Sequence, residues 1–416
     1  MKILHTSDWH LGQHFMMKSR EAEHLAFLNW LIDVVDQQSI DVILVAGDIF
    51  DTASPPSYAR KLYADFIVKL QKTDCQHLII VAGNHDSVAV LNESKSLLQA
   101  LNVSVIAGIN KNLDEHLITV TDKHNNEALI CALPFLRATD VMTSESGSAA
   151  SEKQMSLQNG IAKIYQDIYQ LALAQNINKN MPMLATGHLT AVGCSVSDSV
   201  RDIYIGSLTA FPAQLFPAFD YIALGHLHRA QTVQKNNTIR YSGSPIALSF
   251  DEVKHAKRVV VIDFESNNNL MDAQSEPSEC LHSQALISEV IIPSFQKLVV
   301  IKGDLASIKQ QIKELLDSEQ SIWAEVKVEE SFYRSDVQAE LNQLVADTQI
   351  EILKISMPKI DENSQWQANH IETLDALTPA ELFQHRLDCE DNLSELQQQQ
   401  LNTLFAQTCA ELEQQP

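Results

Sequence analysis

Short apolar runs alternate with helix-spaced apolar residues from the first residue to about position 265. "KILHT" (2–6), "VILVA" (42–46), "LIIVA" (78–82), "LICAL" (129–133), "MLAT" (183–186), "YIAL" (221–224) and "RVVVID" (258–263) read as strands. Between the first two, Leu25, Leu28, Leu31, Ile32 and Val35 recur at helical spacing. "SPPSYARKLY" predicts a helix start with Ser54 as cap and Pro55 at the first position. The alternation predicts an α/β fold, with β-α-β units feeding a central sheet and helices outside it.

The pattern then changes. The stretch 266–284 is polar and turn-rich, and from about 291 a smaller α+β unit follows. Its expected elements are a strand at 297–303, an amphipathic helix over 304–317, a strand at 323–330, a helix over 335–346 and a strand at 350–356. "DENSQWQANH" reads as a loop. "TPAELFQHRL" (378–387) then has Thr378 as cap, Pro379 at the first helical position and Glu381 three residues on, a capping box. The run Gln397–Gln400 lies in a last helical stretch, and there is no internal repeat. The expected division is residues 1–290, 291–360 and 361–416.

Five apolar runs end directly in polar residues: "SDWH", "GDIFD", "GNHD", "GH" and "GHLH". In open α/β sheets, ligands sit beyond the carboxyl ends of the strands, so five such endings imply one shared site. Residues two apart on a strand face the same way, which would make Asp8 and His10 converge just past the first strand. Gly47, Gly83, Gly187 and Gly225 stand where a strand must turn sharply to aim the next side chain.

Composition narrows the setting. At 416 residues the chain exceeds one ordinary core, and its 45% hydrophobic content suits a globular protein. No apolar run approaches the ~20 residues needed to span a bilayer. Met1 leads straight into a strand and a polar motif, without a signal peptide. Six cysteines are scattered without a C-x-x-C pair, which implies reduced thiols, a cytoplasmic location and no thiolate zinc site. The formal charge of −23 repels nucleic acid at long range, so action on nucleic acid would need bound cations, local basic patches or a basic partner. Arg137, Arg201, Arg229, Lys254, Lys257 and Arg258 fall within the first 290 residues, and most are expected to be ordinary solvated charges.

The candidate chemistry lies in Asp8, His10, Asp48, Asn84, His85, Asp86, His188, His226 and His228. Taken singly, each has an ordinary reading: a lone histidine near a strand end is more often a hydrogen-bonded structural residue, and Asn84 alone is an Asx-turn. Their ordered combination, each group closing an apolar run, is far more specific. Carboxylate and amide oxygens mixed with imidazoles suit Mn²⁺, Fe²⁺ or Zn²⁺ rather than Ca²⁺. The set is too large for one tetrahedral zinc and fits two ions about 3.5–4 Å apart sharing a carboxylate. Such a pair grips a phosphate and lowers the pKa of a bound water.

These motifs resemble the calcineurin-like metallophosphoesterase superfamily. "HTSDWHLGQ", "VAGDIFDTASPPSYAR", "GNHDS", "TGHLT", "VRDIYIGSLTAFPAQLFP", "YIALGHLHRAQ" and "YSGSPIALSFDE" narrow the likeness to the SbcD family of bacterial nuclease subunits. The likeness extends over nearly the whole chain, including "KGDLASI" in the second unit. It implies a β-sandwich flanked by helices, followed by a small α+β capping domain and C-terminal helices. It implies one metal on Asp8, His10 and His228, a second on Asn84, His188 and His226, and Asp48 bridging them. His85 would stabilise the transition state or protonate the leaving oxygen, and Asp86 either orients its ring or caps the turn. The resemblance further implies Mn²⁺-dependent 3′→5′ exonuclease action on duplex DNA and endonuclease action on single strands and hairpins. The setting would be DNA repair, recombination and replication. The implied partners are DNA, a second copy of this chain and a coiled-coil ATPase of the SbcC type in a heterotetramer. This chain has no G-x-x-x-x-G-K-[S/T] loop, so ATP would bind on that partner. The C-terminal helices, through Leu382, Phe383, Leu387, Leu393 and Leu396, are expected to dock on it. The alternatives are a small-substrate phosphodiesterase or phosphatase on the same fold, and a non-catalytic scaffold.

Overall fold

The strands form two sheets rather than one central sheet. In a computed structural model, one six-stranded sheet runs in the order Ala285–Ile291, Arg258–Phe264, Lys2–Thr6, Val42–Ala46, His77–Val81, Val103–Ile106. The other runs Gln231–Val233, Asn236–Tyr241, Tyr221–Gly225, Met183–His188, Glu127–Cys131, Leu117–Thr121. Ile3, Leu44, Val81 and Val260 from the first face Ile130, Leu184 and Ala223 from the second across a dry layer. The first sheet's other face, with Leu4, Ile43 and Val45, is covered by helices Glu21–Gln38 and Ser57–Leu70 through Phe27, Leu31, Phe66 and Leu70. Helix Ala150–Gln175 covers the second through Ile161, Tyr165 and Ile168. The central strands are buried on both faces, so they read as unbroken apolar runs. Such runs do not say which sheet a strand joins, and the sandwich was legible only through the family resemblance.

Strands at Val103–Ile106, Leu117–Thr121, Gln231–Val233, Asn236–Tyr241 and Ala285–Ile291 lie outside the seven expected runs. They sit at or next to sheet edges, where alternation is short and diluted by polar residues. The second helix starts at Ser57 with Pro56 as its N-terminal flank, not at Pro55 with Ser54 as cap. Pro56 forces the residue before it out of the helical region, and Pro56 itself is extended at ψ 156°.

The elements expected between 297 and 356 form as read: strands Lys297–Gly303, Ile322–Val328 and Ile350–Ser356 in one parallel sheet, with helices Leu305–Leu315 and Arg334–Val345. Ile308, Ile312, Val326 and Leu341 fill the core between them. This layer rests on the sandwich where the Phe15 ring stacks on Trp323, centroids 6.1 Å apart, and Lys18 Nζ pairs with Glu351 at 2.5 Å.

The structure describes residues 1–141, 150–177, 180–197, 199–200, 210–234, 236–264, 285–316, 318, 320–329, 334–357, 383, 401–402 and 404–405. Met1–Met357 make one compact unit and Pro358–Pro416 a second. In the second, the Phe383 and Phe405 rings stack with centroids 4.1 Å apart. The stretch 266–284, Arg201, the capping box at Thr378, the glutamine run and Leu382, Leu387, Leu393 and Leu396 lie outside the described residues.

Candidate metal centre

All five polar loop groups meet at one end of the sandwich. The first strand stops at Thr6, and the next residues run alongside the Gly47–Ile49 loop: Asp8 N donates to Gly47 O at 2.9 Å and His10 N to Asp48 O at 3.0 Å. Asp8 and His10 do share a face, but not through strand alternation. Both adopt left-handed backbone, φ 53° and 47°, as do Asp48 (50°) and His226 (96°). Four such non-glycine residues in one site store strain that only the surrounding packing can hold. Trp9 supplies much of that packing. It is fully buried, its ring edges onto Phe27 and Phe66, and its Nε1 donates to Thr6 Oγ1 at 3.0 Å.

The glycines act mainly by being small. Only Gly47 of the four has positive φ, at 92°. At Gly83 an added Cβ would lie 2.1 Å from Asp48 Oδ1, and at Gly225 one would lie 1.8 Å from Ala46 O. The sharp-turn reading therefore holds for Gly47; close approach explains the others, of neighbouring loops at Gly83 and Gly225 and of the Tyr165 hydroxyl on the 150–175 helix at Gly187.

Ligand-type atoms of Asp8, His10 and His228 lie within 4.8 Å of one another, and so do those of Asp48, His188 and His226. Asp48 Oδ2 stands between the groups, 3.2 Å from His188 Nε2 and 3.6 Å from His10 Nε2. Asn84 Oδ1 lies 2.9 Å from His188 Nε2 and 3.2 Å from His226 Nδ1. Asp8 is tied in place by Ser7 Oγ and by His226 N, which donates at 2.8 Å. Asp8, His10, Asp48, His188, His226 and His228 are buried, whereas Asn84 and His85 are half-exposed and mark the open side. The structure thus brings together all seven expected ligands and His85.

The electrostatics call for cations. Burial alone would lower His188, but the Asp48 charge and hydrogen bond, with Asp8, outweigh it and raise it to about 9. His10 is likewise raised: burial opposes, and the bond to Asp51 with the charges of Asp48 and Asp8 wins. His226 is driven well below its usual range by burial and by His188. His10 Nε2 is buried with no hydrogen-bond partner, although it faces Asp48. A buried nitrogen without a partner beside convergent carboxylates fits a metal ligand and is costly otherwise. The residues present therefore fit divalent ions, with no sulfur among the donors.

Two residues outside the expected set matter. Asp51 Oδ1 lies 3.1 Å from His10 Nδ1, and its backbone oxygen accepts from His85 Nδ1 at 2.6 Å. Glu252 lies beside His228 Nδ1. Both sit inside the motifs "GDIFD" and "SFDE", but nothing in a sequence marks which carboxylate backs which imidazole. Asp86 accepts from Ile49 N (3.1 Å), Phe50 N (3.0 Å) and Gly83 N (2.9 Å), so it caps turns. Burial and the Asp48 charge push it up to about 6.

Residues 1–230 match the model of the calcineurin-like phosphoesterases, and residues 294–391 that of the type 5 capsule protein repressor C-terminal domain. The chain is 44% identical over 412 residues to the SbcD subunit of nuclease SbcCD from Escherichia coli K12, covering 98% of each chain. It is 29% identical over 339 residues to the Bacillus subtilis counterpart, covering 79% of each. A dimetal phosphatase from Danio rerio superposes with TM-score 0.35 at 12% identity, over 63% of this chain and 91% of that one. With its site geometry, sandwich and near-full-length likeness, this chain belongs to the calcineurin-like phosphoesterases and, within them, to the SbcD family of nuclease subunits.

Proposed function

We propose that the chain is the nuclease subunit of an SbcCD-type complex and hydrolyses DNA phosphodiester bonds with two Mn²⁺ ions. One ion would be held by Asp8, His10 and His228, the other by Asn84, His188 and His226, with Asp48 shared. When bound, the ions supply a polarised phosphate and an activated water. The protein's own part is positioning. Asp48 receives His85 N at 2.9 Å, which anchors His85 beside the shared carboxylate. With Nδ1 of His85 donating to Asp51 O, its Nε2 is the ring nitrogen that can hold a proton for the leaving oxygen. The half-exposed side at Asn84 and His85 is where a strand would enter.

The reading divides the chain into a nuclease domain (1–290), a capping domain (291–360) and a C-terminal segment (361–416) that docks a coiled-coil ATPase. A homodimer within a heterotetramer, working in the cytoplasm in DNA repair, recombination and replication, completes it. The net charge of −23 supports a shared DNA surface, because the chain itself offers the duplex little attraction. The observation that carries the proposal is the Asp48 carboxylate held between two histidine groups.

The test is Mn²⁺-dependent cleavage of a 3′-labelled duplex, a DNA hairpin and a small aryl phosphodiester, with and without the ATPase partner. We expect 3′→5′ trimming and hairpin cleavage, strengthened by the partner, and loss of most cleavage in His85→Gln with metal retained. Preference for the aryl ester, with DNA untouched in the complex, would overturn the reading. So would loss of metal in His85→Gln, which would make His85 a ligand.

A further inference from the structure

A metal-ligating histidine is aimed by whatever holds its other ring nitrogen. For His188 that partner is Ala46 O, which accepts from Nδ1 at 3.0 Å, and for His10 it is Asp51. Both lie on or beside the loop that carries Asp48. For His228 the partners lie outside that loop, on segments 29 residues before it and 24 after it. Its Nδ1 meets Ser199 Oγ at 2.5 Å and Glu252 Oε1 at 3.4 Å, and Ser199 Oγ also donates to Glu252 Oε1. Glu252 sits in the 3-10 turn Phe250–Lys254 and is only 1% exposed.

This carboxylate is held on every side. Its Oε2 accepts from Lys257 Nζ, from Leu248 N at 3.2 Å and from Ser244 Oγ at 3.3 Å. Lys257 Nζ in turn donates to Ser244 Oγ at 2.7 Å and to the backbone oxygen of His228 at 3.0 Å. One buried Lys–Glu pair therefore fixes both the ring and the main chain of a single ligand. A buried ion pair is seldom a net gain in stability over apolar packing, so its presence here calls for another reason.

We propose that Glu252, acting through Ser199 and locked by Lys257, is the positioning residue of His228. The chain of bonds makes Nδ1 the protonated nitrogen and leaves the Nε2 lone pair for the group it forms with Asp8 and His10. The neighbouring Phe250 packs against Phe15 and the Leu298 side chain of the 297–303 strand, so the same turn mounts the capping layer and one half of the metal centre. The inference rests on the two-ion reading above.

The experiment measures Mn²⁺ stoichiometry by elemental analysis and affinity by calorimetry on the full chain, for wild type, Ser199→Ala and Glu252→Gln. Wild type should take up two ions. Each variant should weaken one site about 10–100-fold and leave the other unchanged. Ser199→Ala removes only a hydroxyl, so its circular-dichroism melt should match wild type and separate positioning from folding. Wild-type affinity at both sites in both variants would overturn the proposal, as would equal weakening of both sites. A wild-type chain that takes up only one ion would instead overturn the two-ion reading on which this rests.

Discussion

At the residue scale, the centre is defined by which atoms face inward and which are held from behind. Asp48 is the case that separates a shared ligand from an ordinary one. Its Oδ1 accepts from His85 N while Oδ2 faces both histidine groups. Asp48→Ala should therefore lower occupancy at both positions, read as bound Mn²⁺ per chain; loss of one ion with the other intact would show that it does not bridge. That these candidate ligands and His85 gather at one place was legible in the sequence because each group closes an apolar run. Asp51 and Glu252 were not, because the pairing of a carboxylate with an imidazole nitrogen is decided in space. Asp86 accepts from three buried backbone N–H groups, the geometry of a turn cap.

At the element scale, strand ends bring the loops within touching distance, and the glycines permit it. Gly225 ends its strand with its α-carbon against Ala46 O, the carbonyl that also orients His188. Gly225→Ala should force the two sheets' loops apart, costing about 1–3 kcal/mol in a denaturant melt and lowering metal affinity. Gly108→Ala is the control: a Cβ there meets Val88 no closer than 3.7 Å, and its melt should stay near wild type. Retained stability and affinity in Gly225→Ala would refute the close-approach account. The smaller unit between 297 and 356 was read nearly element for element, because its helices and strands alternate with clear periods. The sandwich was harder, since two sheets of unbroken apolar strands have the same pattern as one.

At the scale of the whole molecule, the metal-free protein should have a stability maximum near neutral pH. Burial holds His5 and His24 down at about 3, against 6.5 in an unfolded chain. The unfolded state thus binds more protons below pH 6.5, so stability falls as pH drops from 6.5 towards 3, by on the order of 4 kcal/mol at pH 5 for the two together. His188 has the opposite sign. Raised to about 9, it contributes stability that is present below pH 6.5 and lost as pH rises through 9. Urea melts of chelator-treated protein should show both limbs, and added Mn²⁺ should remove the alkaline one, because a ligand histidine has already given up its proton. His24→Gln should flatten the acid limb; an unchanged slope there would show that His24 is not the buried neutral group assigned here.

By itself the sequence determined the kinds of chemistry available: hard oxygen and imidazole donors after apolar strands, a second, α+β module, and a family likeness written in motifs. Those are local facts, set by side-chain type and by periods of two and 3.6 residues. Only the tertiary structure decided that the strands divide between two sheets, that Asp48 stands between two histidine groups, and that Glu252 of a later turn lies beside His228. Such facts depend on distances between residues far apart in the chain, which packing of the two sheets and their helices sets and local pattern does not encode.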